Sequence, residues 1–448
     1  MKRNNCSIVN ELNIFTSSPG KFIVSGEHSV CYNGNCLTMA LEKRCYVYLH
    51  FIKSKTPMIN INLMNYSFYK SFNKEDIESV KSASDEISKS ILVIIKSCST
   101  ISCFMKEDAT FTFIIKSSIP IGSGLGSSAA FCASVISSIH ILNKKLSDCN
   151  SLNELDIPRI LIEAKEAENY FHGKSSGVDT ATSIIGGILN YKMGKFEKLN
   201  PTNEFKSSLR FFLIDSGEKK DTQRAVEMVK ALYKSKEGNI ERIKDITLEL
   251  IDQIVNVTNI KSILTLIDEN HRHLKEFNLS TELIEKIINS VQEFGCHGKI
   301  TGAGMGGYVL VAFSTRMVEL NMVIEQLERM KDCLIIKDYL FANISFNGLR
   351  VAGLTKVNGS LPKIVQTLSC YTGHHANLQR PSSNLIGYIK LFFTSKTHLW
   401  LPVFVIRSQI LYCTHIFCSY PPCSWHKVSI SLVNHHHVHT FDNALLNA

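Results

Sequence analysis

No stretch of the 448 residues holds the roughly 18 consecutive apolar residues that a membrane-spanning helix needs. The longest late candidate, residues 399–406, is far too short. The first twenty residues also lack the apolar run of a secretory signal. A cytoplasmic protein without a membrane partner is therefore expected. Tryptophan is almost missing: both copies, Trp400 and Trp425, fall in the last hundred residues. Acidic residues are almost missing from that same stretch. Residues 353–448 carry seven Lys or Arg and one acid, Asp442, hence +6 of the formal +9, which leaves +3 for the first 352 residues. So local an excess, without a patterned basic face, argues against a nucleic-acid partner. The fourteen cysteines are scattered along a long chain, so reduced, mostly buried thiols are expected rather than a disulfide framework.

What is present suits a large folded body. Hydrophobic residues make up 44 % and charged residues 20 %, which excludes global disorder. Residues 44–52 and 110–116 are rich in β-branched and aromatic side chains and read as strands, as do 209–215, 308–313 and 344–351. Helical spacing marks residues 127–142, 157–170, 221–233, 240–277 (two helices), 281–294 and 317–331. The sum is a mixed body with helices gathered toward its second half. The expected division is an N-terminal domain over 1–200, a second over 201–352 and an atypical basic tail over 353–448. The tail reads as a poorly ordered extension, or as sequence that does not normally code for protein. Its Cys413, Cys418, Cys423 and His415 match no common zinc spacing.

The most informative segment is Ser117-Ser118-Ile119-Pro120-Ile121-Gly122-Ser123-Gly124-Leu125-Gly126-Ser127-Ser128-Ala129-Ala130. It leaves a strand and opens a helix. Glycines at alternating positions let the backbone turn sharply and approach a phosphate closely. The helix start then offers free N–H groups to the anion, and Ser127 or Ser128 can cap the helix or ligate a Mg²⁺. Two familiar phosphate motifs are excluded. Gly173-Lys174-Ser175 ends like a P-loop, but position 168 is Glu. Gly302-Ala303-Gly304-Met305-Gly306-Gly307 contains G-x-G-x-x-G but runs into a strand instead of a helix.

Three segments stand in order: Ser18-Pro19-Gly20-Lys21 through Gly26-Glu27-His28-Ser29-Val30, then residues 120–130, then Lys299-Ile300-Thr301-Gly302-Ala303-Gly304. Together they resemble the signature motifs of the small-molecule kinases grouped as galactokinase, homoserine kinase, mevalonate kinase and phosphomevalonate kinase. A fourth, Glu168-Asn169-Tyr170-Phe171-His172-Gly173-Lys174-Ser175-Ser176-Gly177-Val178-Asp179, is similar to the mevalonate kinases in particular. The resemblance covers roughly residues 14–352. It implies a two-domain α+β fold with the active site in the interdomain cleft, and ATP-dependent phosphorylation of mevalonate with Mg²⁺. It admits a homodimer. It implies that Gly122, Ser123, Gly124, Leu125, Gly126, Ser127 and Ser128 wrap the ATP phosphates, that Lys21, Asn65 and Ser117 also touch the nucleotide, and that Ser128 and Glu168 hold the metal. It makes Asp179 and Lys21 catalytic, and puts Glu27, His28 and Ala303 on the acceptor side.

Taken singly, each residue has a plainer reading. Lys21 and Glu27 suit a surface, Asp179 a helix N-cap and His28 a structural role, and Glu166 competes with Glu168. Three positions depart from the family pattern. Ser18 replaces alanine, small for small. Ser175 replaces proline, which implies a mild loss of rigidity. Met305 replaces a glycine, and a bulky side chain does not easily take φ > 0.

Overall fold

The computed structural model describes residues 9–79, 84–100, 109–147, 155–256 and 258–354, together with six short strands between residues 387 and 441. The first sheet is built on two long strands, β1 (Glu11–Ser25) and β2 (Cys36–Lys53), followed by β3 (Met58–Leu63), β4 (Phe68–Phe72), β5 (Ala109–Ser117), β6 (Ile188–Lys192) and β7 (Lys195–Leu199). The second contains β8 (Leu209–Asp215), β9 (His297–Ile300), β10 (Tyr308–Ser314) and β11 (Asp338–Phe341), ordered β11-β8-β10-β9. The last strand of this body, β12 (Arg350–Leu354), returns to the first sheet, whose order is β12-β1-β2-β5-β3-β4, with β6 on β2 and β7 on β6. Among the described strands every pairing is antiparallel except β3 with β5.

Strict alternation makes β5 amphipathic, with Phe111, Phe113 and Ile115 inward. Helices cover the sheets: α1 (Lys74–Ser79), α2 (Glu86–Ser99), α3 (Ser127–Ser147), α4 (Ile157–His172) and α5 (Val178–Ile185) in the first half, with α6 (Asn203–Ser208), α7 (Thr222–Leu232), α8 (Glu237–Val255), α9 (Ile260–Lys275), α10 (Glu282–Gln292) and α11 (Leu320–Asp332) in the second. The small buried residues of α3, Ala129, Ala130, Ala133, Ser134, Ser137 and Ser138, bring that helix close to the sheet. Thr16 Oγ1 donates to the Ser134 carbonyl (2.8 Å) and Ser134 Oγ to that of Cys45. Asp85, Asp156, Asn259 and Thr281 cap α2, α4, α9 and α10, each accepting from a first-turn N–H.

β1 carries the only proline of the first motif, and the ladder slips there: Pro19 faces Arg44 while Gly20 faces Leu41. Such an irregularity tolerates a missing N–H and re-aims the next side chain, Lys21. The chain also ends differently from expectation. Instead of a strand over 344–351, Ile344 makes one bridge to Leu41, residues 345–348 form a strap, and the strand runs from Arg350 to Leu354. The strap bends because buried Arg44 needs acceptors. Its guanidinium donates to Ser17 Oγ and the Ser17 carbonyl (2.8 Å), to Ser345 Oγ (3.1 Å), and to the carbonyls of Asn347 and Gly348.

The chain divides into two compact units, Met1–Leu368 and Ser369–Ala448. The second contains three antiparallel pairs, Gly387–Leu391 with Leu399–Val403, Val405–Ile406 with Gln409–Ile410, and Ile430–Asn434 with His437–Phe441. The expected poorly ordered tail, with its Cys413, Cys418, Cys423 and His415, otherwise lies outside the described residues. Among the described cysteines, Cys36, Cys45, Cys98, Cys132 and Cys296 are buried, Cys31 and Cys333 exposed, and all are free thiols. No described helix is long and apolar enough to cross a membrane.

Replacing Arg44 by methionine keeps the volume but takes its guanidinium donor from the buried Ser17 and Gly348 carbonyls. Stability should fall by about 3 kcal/mol in urea unfolding. A loss below about 1 kcal/mol would show that backbone bonds alone hold the strap.

Candidate active site

The loop between β5 and α3 can be followed residue by residue. Gly122, Gly124 and Gly126 have φ of 69°, 74° and 77°, the left-handed region that favours glycine. Between them, Ser123 Oγ donates to the Pro120 carbonyl (2.7 Å) and accepts from the Leu125 N–H. The loop is seated on the first motif. Lys21 N–H donates to the Leu125 carbonyl (2.8 Å), and a Cβ on Gly20 would come within 2.7 Å of that same oxygen. Pro-Gly-Lys on β1 and the alternating glycines are thus halves of one contact.

Beside this loop lies a cavity of about 390 Å³ whose wall comes from both halves of the body. Lys21, Ser127, Ser128, Glu168, Asp179 and Ala303 line it, with the three loop glycines. Lys21 Nζ meets Asp179 Oδ1 at 3.0 Å, the lysine buried and the aspartate 31 % exposed. Asp179 sits in the first turn of α5, where the helix dipole favours a carboxylate. Glu168 is buried near the end of α4, whereas Glu166 is exposed. Burial, and next the charge of Asp179, raise its pKa to about 7. Glu168 Oε2 accepts from Ser175 Oγ (2.6 Å), and Thr180 Oγ1, shared with the Gly177 carbonyl, lies 3.4 Å from the same oxygen. Ser128 Oγ lies 2.9 Å from His172 Nε2. One carboxylate and one hydroxyl on the same wall are hard oxygen donors, the set Mg²⁺ takes when its other ligands are phosphate and water. Among the described residues no group of three His, Cys, Asp or Glu could hold a metal alone.

The remaining expected residues have distinct places. Asn65 and Ser117 line the same cavity, where the Asn65 amide donates to the Ser117 carbonyl (2.8 Å) and accepts from its N–H (2.6 Å). Ser123 and Leu125 hold the loop from within, as described. Glu27 and His28 lie behind the wall. The Glu27 carboxylate is ion-paired with Lys299 at 1 % and 0 % side-chain exposure, and its Oε2 has no hydrogen-bond partner among the described residues. His28, at φ 59°, places Nε2 at 2.8 Å from the Ala303 carbonyl, and burial lowers its pKa. Thr301 Oγ1 brackets Ile23, accepting from its N–H and donating to its carbonyl. These contacts join the first motif to the third.

Lys220 is the main residue that sequence reasoning missed. It follows β8 and lines the cavity with Thr222; a Cβ on Gly124 or on Gly302 would collide with its ammonium group. Burial, then Lys21, lower its pKa to about 8. A lysine one residue before the Asp221 cap of α7 was the available signal. Two of the departures have definite contacts in the structure. Ser175 makes a specific bond to Glu168 instead of merely loosening the loop. Met305 does take φ 58°, with its N–H on the Leu279 carbonyl (2.7 Å) and its side chain packed on the second hydrophobic cluster, which offsets the strain.

A carboxyl whose folded pKa lies near 7 instead of 4.5 favours the protonated folded state, so its contribution is most stabilising below pH 4.5 and is lost as pH rises through 7. In ligand-free protein, Glu168→Gln should therefore raise stability by about 1–3 kcal/mol near pH 8 and change little near pH 5. Thermal unfolding at both pH values checks this; an equal shift at both would assign the titration elsewhere.

Comparison with known proteins agrees with this geometry. The GHMP kinases N terminal domain family matches residues 92–187, and the GHMP kinases C terminal family matches residues 248–321. A mevalonate kinase of Methanocaldococcus jannaschii is 30 % identical over 301 residues, 66 % of this chain and 90 % of the relative. One from Arabidopsis thaliana is 26 % identical over 360 residues, 69 % and 93 % of the two chains. Among solved structures, the Methanococcus jannaschii mevalonate kinase superposes with a TM-score of 0.59 at 24 % identity over 76 % of this chain and 96 % of that one. A Lactococcus lactis galactokinase complexed with galactose reaches 0.57 at 15 % identity over 77 % and 95 %. With its glycine loop seated on β1 and its cavity walled by both halves of the body, the chain belongs to the GHMP kinase family.

Proposed function

We propose that this kinase transfers the γ-phosphoryl group of ATP to the 5-hydroxyl of (R)-mevalonate, giving ADP and 5-phosphomevalonate. The fold does not choose the acceptor, since a galactokinase superposes nearly as well as a mevalonate kinase. The names of the curated relatives favour mevalonate. The observation that carries the chemistry is the Lys21–Asp179 pair at 3.0 Å, on the cavity wall beside the glycine loop.

In this reading the acceptor hydroxyl lies against Asp179. Its oxygen attacks the γ-phosphorus, the bond from that phosphorus to the β,γ-bridging oxygen breaks, and the proton passes to the Asp179 carboxylate. Lys21 pairs with Asp179 and stabilises charge developing on the phosphoryl oxygens. The loop N–H groups and the start of α3 hold the phosphates, and Lys220 supplies a second cation between the loop and the third motif. Glu168 and Ser128 would hold Mg²⁺, which when bound neutralises phosphate charge.

With Mg-ATP, mevalonate should elicit ADP release in a coupled assay far above galactose, homoserine or phosphomevalonate. A rate with any of those three equal to that with mevalonate would assign a different acceptor. Asp179→Asn keeps the size but removes the base. It should lower kcat by about 10²-fold or more while nucleotide binding is largely kept. Near-normal turnover would overturn the role given to Asp179.

A further inference from the structure

Ser175 lies seven residues beyond Glu168, in the turn that follows α4. Its backbone N–H is fixed by Asn169 Oδ1 (2.7 Å), and its Oγ accepts from the Gly177 N–H (3.1 Å) while donating to Glu168 Oε2 (2.6 Å). The hydroxyl therefore has one orientation: its proton goes to the carboxylate because the Gly177 N–H occupies its acceptor side. Thr180 Oγ1 lies 3.4 Å from the same Glu168 oxygen but 3.3 Å from the Gly177 carbonyl, so Ser175 is the dedicated donor to Oε2, while among the described residues Oε1 receives no hydrogen bond.

We propose that Ser175 is a positioning residue for Glu168: its hydroxyl fixes the carboxylate by one oxygen and leaves the other to a divalent cation. This rests on the reading of Glu168 as a metal carboxylate given under the proposed function. A buried carboxylate on a flexible side chain has several rotamers, and a charge-assisted hydrogen bond restricts it to one at small entropic cost when the donor is itself pinned. Losing a hydrogen-bond partner of a metal ligand typically costs about 10- to 100-fold in metal affinity. A proline at this position would have no hydroxyl to offer, so the substitution exchanges backbone rigidity for direct control of the carboxylate.

The test is ADP affinity measured by calorimetry with and without Mg²⁺ on the full chain, alongside kcat and KM. Ser175→Ala should weaken Mg-ADP binding about tenfold and leave metal-free ADP binding within about twofold. Ser175→Thr, which keeps the hydroxyl, should retain most of the wild-type response. In a Glu168→Gln background, Ser175→Ala should add nothing further. An equal loss with and without Mg²⁺, a threonine variant as impaired as alanine, or additive effects in the double variant would each overturn the proposal. So would a loss of Mg²⁺ response in Glu168→Gln with a normal response in Ser175→Ala, and that result would leave the metal role of Glu168 standing. No Mg²⁺ response in the wild type would remove that role and this inference together.

Discussion

Glu27 and Lys299 come from the first and third motifs, more than 270 residues apart in the chain, and their charges meet where both side chains are fully withdrawn from water. Removing either partner would strand the other charge in the interior, which is strongly destabilising even where the pair itself contributes little net stability. The pair therefore acts as a constraint on geometry. His28 on the Ala303 carbonyl and Thr301 around Ile23 repeat the same junction with neutral groups. Gly302 and Ala303 then line one cavity with the glycine loop, and Lys220 has a defined gap to enter. The cavity wall follows from a bond that the cavity does not expose.

Inside that wall the charges are arranged in opposition. Burial raises Glu168 toward neutrality from one side and brings Lys220 toward it from the other. Asp179 raises Glu168, while Lys21 lowers Lys220, so each charge weakens its own kind nearby. Such a site disfavours isolated charge of either sign and rewards ligands that bring counter-charge. An anion between Lys21 and Lys220 would restore the full ammonium form, and a cation beside Glu168 would restore the carboxylate.

The glycine loop was legible because it depends on one local requirement, glycine at alternating left-handed positions, which the sequence states openly. Strand β5 and helices α3 and α4 were legible from periodicity for similar reasons. Lys21, Glu168 and Asp179 could be singled out only through the family resemblance, since a lone lysine or carboxylate carries no pattern. Lys220 escaped because its meaning lies in two distant glycines that leave room for its ammonium group. Glu27 looked like a residue facing the acceptor, and its burial against Lys299 emerged only once two sheets were superimposed on one junction. Met305 and Ser175 were visible as departures, but what each gained depended on Leu279 and Glu168, contacts that no spacing rule contains. The final strand was displaced by a buried arginine whose acceptors lie three hundred residues away.

The position of β12 has a further consequence for how the protein comes into being. Residues 13–17 of β1 pair with residues 350–354, so a strand near the start of the chain receives its outer neighbour last. On a ribosome, β1 emerges early and pairs with β2, but its other edge presents unpaired N–H and C=O groups until the second sheet and its helices have been made. An unpaired edge is a template for association with other chains. The N-terminal half of this body thus cannot mature as a separate nascent domain, and the strand bearing Lys21 is sealed only when synthesis of the body is complete.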